Sequence, residues 1–351
     1  MKKKKKKKKK KTKNIPRISR GIENNFHLSG PPVDIWNRFY DKKTIQTYVN
    51  TNRTVTENNN VFVDNVLFEY FIQDGAIRIT NAKDETRVLV SVCSFFKCSS
   101  KNYGGSIFFG AINGQKGAFV QYKVCSCDSA SEKPGCHSFI QATNNPKSNN
   151  LIIESSFTQM EGFGPVLVSQ YGIILFSSVN ITDAIQYFNG ALCIKSPRYG
   201  VPSMTNFSNF YKISVYLQSS FCYTEHSHEI YFCNIIDHTV INSQQGVIFY
   251  LTSAALTVRQ CFFKGNKVPR LTNIVSPYYA PKILECHFES NNNLQINVNT
   301  QNSTSMTELS LSSLYITYVC EIIIKRNKET LKIPNIAFYK LFSSQPSIYL
   351  T

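Results

Sequence analysis

The side chains best able to do chemistry in this sequence are its cysteines and histidines. In "ILECHFESNNN", residues 283–293, Cys286 and His287 stand side by side between Glu285 and Glu289. A thiolate beside an imidazole is either a nucleophile with its base or two ligands of a metal such as zinc. A denser set, Cys222, His226, His228, Cys233 and His238, falls within "CYTEHSHEIYFCNIIDH" at 222–238. Its spacing fits no familiar zinc pattern. "CSC" at 125–127 has a superficial likeness to a redox pair. "NGQKG" at 113–117 reads as a turn, not a phosphate loop, because no helix follows it.

The Cys286 stretch has relatives: "VRQCFFKGN" around Cys261, "IYFCNIIDH" around Cys233 and "LVSVCSFFKC" around Cys93. An active site has no reason to recur, whereas a repeating fold does. Aligned on the apolar residue two places after the cysteine, the copies have anchors at Phe68, Phe95, Cys127, Phe157, Val179, Phe207, Ile235, Phe263, Phe288, Ile316 and Phe338. Five residues earlier stand Val63, Val90, Tyr122, Ile152, Ile174, Pro202, Ile230, Val258, Ile283, Leu311 and Ile333, of which only Pro202 is not hydrophobic. Two residues before the anchor the column is small or apolar, with Cys93, Cys125, Cys233, Cys261 and Cys286 among its members.

Anchor and anchor-minus-two share one face of a strand, while anchor-minus-five has the opposite parity, so the chain must bend between them. A further strand follows most anchors, introduced by a small residue, as in "GAIRI" from Gly75 and "GVIFYL" from Gly246. Three short strands per coil with polar corners predict an all-β fold. The specific expectation is a right-handed, single-stranded parallel β-helix (a pectate-lyase-like solenoid) over residues 61–340, of about eleven coils of roughly 27 residues. Residues 1–20 form a disordered poly-lysine tail, 21–60 an amino-terminal cap shielding the first coil's edge, and 341–351 a carboxy-terminal tail. On this register Cys286 faces the core and His287 faces out, so they cannot act jointly. Likewise Cys125 and Cys127 face in and Ser126 out, and Phe263 faces in and Phe262 out.

"GGSI" at 104–107, "FKGN" at 263–266 and "FESN" at 288–291 resemble the repeats of chlamydial polymorphic outer-membrane proteins. They resemble more closely the cysteine- and asparagine-rich β-helix proteins of trichomonad-type protists. The resemblance implies the β-helix fold and, through the bacterial family, a surface-displayed passenger that mediates adhesion.

The formal charge of +17 belongs to the tail: residues 2–11 are lysine, and Lys13, Arg17 and Arg20 follow with no acid among them. Without these thirteen the chain holds 26 basic and 22 acidic residues, close to balance. The run is a solvated arm, or a contact for nucleic acid or another polyanion through residues 2–20. Eleven cysteines, an odd number in so long a chain, do not describe a small disulfide scaffold. No apolar leader follows the lysines, and the nearest candidate for a membrane span, "LSLSSLYITYVCEIII", is short and carries Glu321. The expectation as written is a cytoplasmic chain; the family resemblance and the sequons at Asn52, Asn180, Asn206 and Asn302 point to the secretory route instead.

A β-helix hydrolase or lyase needs acids close together on an outer face. The outward columns beside the anchors place no two acids on neighbouring coils. The most regular of them runs Ser94, Ser126, Ser156, Ser178, Asn206 and Asn234, either a solvated polar ladder or a hydrogen-bonding face for a glycan. No catalytic, cofactor-binding or metal-binding residue is assigned, and no cofactor is expected. The expected function is a non-enzymatic interaction scaffold, of surface or adhesin type, meeting glycan or protein ligands on its outer faces. The alternatives are a carbohydrate-active enzyme with loop-borne acids, and polyanion binding through the lysine arm.

Overall fold

In a computed structural model of the chain, the described residues are 32–110, 117–144, 148–196, 202–242, 246–275 and 281–289, with 294, 295, 300–302 and 308. The lysine run, most of "NGQKG", and the repeats at Ile316 and Phe338 lie outside them.

One coil shows how the sequence builds the rest. Strand Arg87–Ser91 ends at Val92, a left-handed residue with φ 52°, and strand Ser94–Phe96 follows. Lys97, again left-handed with φ 51°, turns the chain into Ser99–Ser100, and a corner leads to Ile107–Phe109. Each strand pairs in parallel with its counterparts one coil below and one above: Val63, Val90 and Gln121 align, as do Phe68, Phe95 and Ser126, and Ile77, Ile107 and Ser138. The chain is thus a parallel β-solenoid. Its first three coils have four short strands each instead of three, because a second left-handed residue sits two places after the anchor, whereas on later coils strands such as Asn149–Thr158 and Ile173–Gln186 run on through the bends.

The first bend resets the alternation of side chains. Val90 and Cys93 have opposite parity, yet both are fully buried. The bend recurs at Asn65, Val92, Lys123, Glu154, Ser178, Phe207, Phe232, Gln260 and Glu285, all with φ between 48° and 56° and none of them glycine. A left-handed residue with a side chain costs roughly 1–2 kcal/mol. Stacking the bends offsets this, because their amides stay in the inter-coil ladder: Val92 N–H donates to Tyr122 O at 3.0 Å and Gln260 N–H to Leu284 O at 3.0 Å.

Inter-strand pairing corrects three of the anchors. The column runs Phe68, Phe95, Ser126, Phe157, Ile181, Phe210, Ile235, Phe263 and Phe288. Cys127, Val179 and Phe207 are replaced by Ser126, Ile181 and Phe210, and five places earlier Tyr122, Ile174 and Pro202 give way to Gln121, Phe176 and Thr205. Among the described residues these are nine levels; of the eleven coils expected, those at Ile316 and Phe338 lie outside them. The first error has a plain cause: an anchor assumed to be apolar cannot find a coil whose inward residue is Ser126. At that level the space is filled by the His137 ring, 5.2 Å from the ring of Phe95 and 4.7 Å from that of Phe157. Ser126 therefore faces in, and Cys125 and Cys127 face out, the reverse of the expectation.

The corrected column two places before the anchor explains why cysteine recurs. It reads Val66, Cys93, Val124, Ser155, Val179, Ser208, Cys233, Cys261 and Cys286, every member buried. At four levels the N–H of the residue in this column is met, after the bend, by a side chain of the next coil. Val124 N–H donates to Ser155 Oγ at 3.1 Å, Val179 N–H to Ser208 Oγ at 3.1 Å, Cys233 N–H to Cys261 Sγ at 3.4 Å and Cys261 N–H to Cys286 Sγ at 3.5 Å. The same hydroxyl or thiol donates back to the carbonyl two residues earlier, as Ser208 does to Asn206 O at 2.7 Å and Cys261 to Arg259 O at 3.4 Å. These cysteines are hydrogen-bonding staples across a bend as well as apolar filling.

Ser208→Ala is therefore expected to cost about 1–3 kcal/mol, because it leaves the buried Val179 N–H without an acceptor. Ser208→Cys should cost clearly less, since sulfur does the same work at 261 and 286. Urea unfolding of the two variants checks this, and equal losses would contradict it.

The segment before the first coil divides in two. Thr47–Val49 adds a parallel strand below Val61–Asp64, and Val49 and Val55 close that end of the core. Helix Pro32–Tyr40 begins on proline, which suits a first helical position, and lies along the side of the solenoid. Its apolar stripe, Ile35, Trp36, Phe39 and Tyr40, packs on the outward residues Phe62, Leu89, Val120, Tyr122 and Leu151, and Tyr40 donates to Val88 O at 2.6 Å. Outward apolar residues on these coils are explained by that cover.

Candidate functional site

The short strands after the second bend, 72–73, 99–100, 130–131, 161–162, 185–186 and 214–215, stack in register on successive levels. Their outer side forms the floor of a groove of about 510 Å³ that runs along the solenoid axis from Ile72 to Asn242. At about 4.8 Å per level, these six strands span roughly 24 Å. The floor mixes small residues, Ser99 and Ala130 on neighbouring levels, with the larger Ile72, Glu161 and Ile185. Gly162 is required beneath it: a Cβ there would stand 2.5 Å from Cys136 Sγ.

One wall is aromatic. Phe163, Tyr187 and Tyr216 occupy successive levels, with ring centroids 5.6 Å apart and 17° between planes for the first pair, and 6.2 Å and 28° for the second. Phe188 packs edge-on against Phe163 and Tyr187 and fixes their orientation. Ile72 at one end is 66% exposed, so the groove is an apolar strip open to solvent.

The charged groups of the groove are Lys101, Glu132 and Glu161. Burial raises the Glu161 carboxyl above the ordinary range, and the Asp128 carboxylate raises it further. Asp128 stands on the second bend one level away, with φ 57°. Partial burial raises its carboxyl too, against the pull of Lys97 at 3.9 Å. Asp128 and Glu161 thus stand on neighbouring coils in different columns, near enough for one carboxylate to raise the other. With the register corrected, the second-bend column reads Tyr70, Lys97, Asp128, Gln159, Asp183, Lys212, Asp237 and Gly265. Its lysines pair with acids one level away, Lys97 with Asp128 at 3.9 Å and Lys212 with Asp183 at 4.0 Å.

The residues singled out from sequence lie elsewhere and do not converge. Cys286 is in the bend column, and His287 faces outward, its ring stacked on Phe262 at 5.3 Å. Cys222 faces outward on Ser219–Tyr231, while His228 and His238 face the core. His228 Nδ1 meets Ser203 Oγ and its Nε2 lies 3.0 Å from Glu225 O; His238 Nε2 lies 3.1 Å from Phe210 O. Burial holds these two imidazoles down at about 4 and that of His137 at about 3. Among the described residues no three potential ligands form a metal-binding group.

The polar ladder is real but differently composed: Ser94, Cys125, Ser156, Asn180, Asn209 and Asn234. Asn209 Nδ2 donates to Asn180 Oδ1 at 2.9 Å, and Ser94, Ser156 and Asn234 are buried, so it is no solvated ladder. Of the sequons, Asn52 is exposed, and Asn180 and Asn206 are half-buried.

Asp128, Glu161, Phe163, Tyr187 and Tyr216 were missed from sequence. The signal was present: the three aromatic residues are 24 and 29 residues apart, the lengths of their own two coils from Phe157 to Ile181 to Phe210. No family model, no curated protein and no solved structure matches the chain, so the fold and the groove stand on its own geometry.

Proposed function

We propose that this chain is a non-enzymatic β-solenoid scaffold that holds a glycan strand in the axial groove. The observation that carries this is the groove itself, in which the same kinds of contact repeat from level to level. At three successive levels a repeating polymer lying along the axis meets a ring, Phe163, Tyr187 and Tyr216 in turn, with Glu161 and Ile185 on the floor beside the first two. The aromatic side chains supply contact for the apolar faces of sugars, and Glu132 and Glu161 accept hydrogen bonds from their hydroxyls. The outer-face placement suits a surface or adhesin-type role, as the resemblance to β-helix passengers implies.

The test is a panel of soluble polysaccharides titrated against the intact protein. Tyr187→Ala and Tyr216→Ala are each expected to weaken binding about tenfold, roughly 1.4 kcal/mol per ring. Unchanged binding in both variants, or no binding to any glycan, would reject the reading.

The Asp128–Glu161 proximity favours a second reading, a carbohydrate-active enzyme. A carboxyl whose pKa is raised by burial and by a neighbouring carboxylate is the kind of group that serves as general acid in glycoside hydrolysis, with the second carboxylate as its partner. Shortening of a bound polysaccharide that disappears in Glu161→Gln would move this reading ahead. The lysine run at 2–11 adds a polyanion contact whose affinity would fall steeply with salt. Among the described residues no helix is long and apolar enough to cross a membrane. Asn52 is the sequon best placed to carry glycan on the secretory route.

A further inference from the structure

Two thiols that neither the groove nor the core uses meet on the outer side of the solenoid. Cys193 and Cys222 hold the same register position on adjacent parallel strands, Asn189–Lys195 and Ser219–Tyr231. Both face away from the core, because Leu192, Ile194, Phe221 and Tyr223 on either side of them face into it. In-register strands lie about 4.8 Å apart, inside the Cα separation of roughly 4.4–6.8 Å that a disulfide spans. Both cysteines are free.

Their surroundings differ in a useful way. Cys193 is partly exposed, and its thiolate is favoured by a hydrogen bond from Cys222 and by the charge of Lys195, which lowers its pKa below the ordinary value. Cys222 is only 6% exposed, and its thiol is raised by that same hydrogen bond and by burial. An accessible thiolate attacks a disulfide, and a shielded neighbour resolves the product. The buried thiols of the bend column have no such access: burial raises Cys93 to about 12 and pushes Cys261 well above the ordinary value.

We propose that Cys193 and Cys222 form a redox-responsive dithiol that closes to an inter-coil disulfide by exchange with a small oxidised disulfide such as oxidised glutathione. The Cys193 thiolate attacks one sulfur of glutathione disulfide, forming a mixed disulfide and expelling a glutathione thiolate, which takes up a proton. Cys222 loses its proton and attacks Cys193 Sγ; the Cys193–Cys222 bond forms and the second glutathione leaves. Two protein thiols are oxidised and one small disulfide is reduced to two thiols, with no other oxidant. The bond ties the coil that carries Tyr187 to the coil that carries Tyr216.

The experiment equilibrates the full chain in glutathione buffers from fully reduced to fully oxidised, alkylates free thiols in the native state, and maps peptides by mass. The expected result is a Cys193–Cys222 linked peptide under oxidation, reversed by reduction, and a thermal midpoint higher by roughly 5 °C or more. Cys193→Ser and Cys222→Ser should each remove that rise. Three outcomes would overturn the proposal: both thiols still alkylated after oxidation, glutathione retained on Cys193, or a bond from either cysteine to another partner. Peptide mapping of the unaltered protein decides the matter even where a serine variant fails to fold.

Discussion

Lowering the pH from 7 toward 4 should unfold this protein far more readily than its near-balanced body charge would imply. His137, His228 and His238 are buried and neutral, held at about 3, 4 and 4 in the fold against 6.5 in the unfolded chain. The unfolded state therefore binds more protons through that window. Their contribution is complete above pH 6.5 and is lost as pH falls toward the folded values. Each group gives up to about 1.4 kcal/mol per pH unit, so together the slope reaches about 4 kcal/mol per unit. Asp64, Asp128 and Glu161, whose carboxyls are raised by burial, act in the opposite sense at the acid end and soften the fall. Urea midpoints measured from pH 7 to 4.5 give the slope. A flat profile over this range would show that the three imidazoles are not buried as described.

Phe263→Ala should cost about 3–5 kcal/mol. Its ring stacks on Phe288 at 4.6 Å and meets Phe249 edge-on at 6.2 Å, so no neighbour can move in to close the cavity. Phe262 faces outward, as its parity requires, but it is 1% exposed and stacked on His287, so Phe262→Ala should also be costly. The contrast that tests the register is with Tyr70, 58% exposed on a bend, where Tyr70→Ala should cost less than about 1 kcal/mol. Chemical denaturation of the three variants separates these cases. Equal losses at 70 and 263 would mean that the inward column is misplaced.

How far the sequence speaks can be seen from particular residues. Where the inward residue is Phe68, Phe95, Phe157, Ile235, Phe263 or Phe288, period and parity alone locate it, and the bend between opposite parities follows from sterics. Ser126 defeats that reasoning because a serine can be inward when another ring, here His137, fills its level. Phe207 defeats it in the opposite way: an aromatic residue on a left-handed bend looks like core in a one-dimensional pattern. Slipping by one to three residues at such coils scrambles every outward column, and Glu161 lies four places past its anchor, outside the columns beside the anchor, so it was not read with Asp128. The groove was hidden for a further reason. Its floor and wall lie four and six residues past the anchor, beyond a second bend that no glycine marks in most coils. The recurring cysteine was legible as a buried column, whereas its role as acceptor for an N–H in the next coil needs the stacking of coils to be seen.

The proposed seat of a glycan along the groove from Ile72 to Asn242 can be probed by oxidative footprinting with and without a bound polysaccharide. Phe163, Tyr187 and Tyr216 are expected to become protected together, while Tyr48 and Tyr103, exposed and outside the groove lining, are labelled as before. Protection of Tyr48 or Tyr103 with Tyr187 and Tyr216 unchanged would contradict this placement.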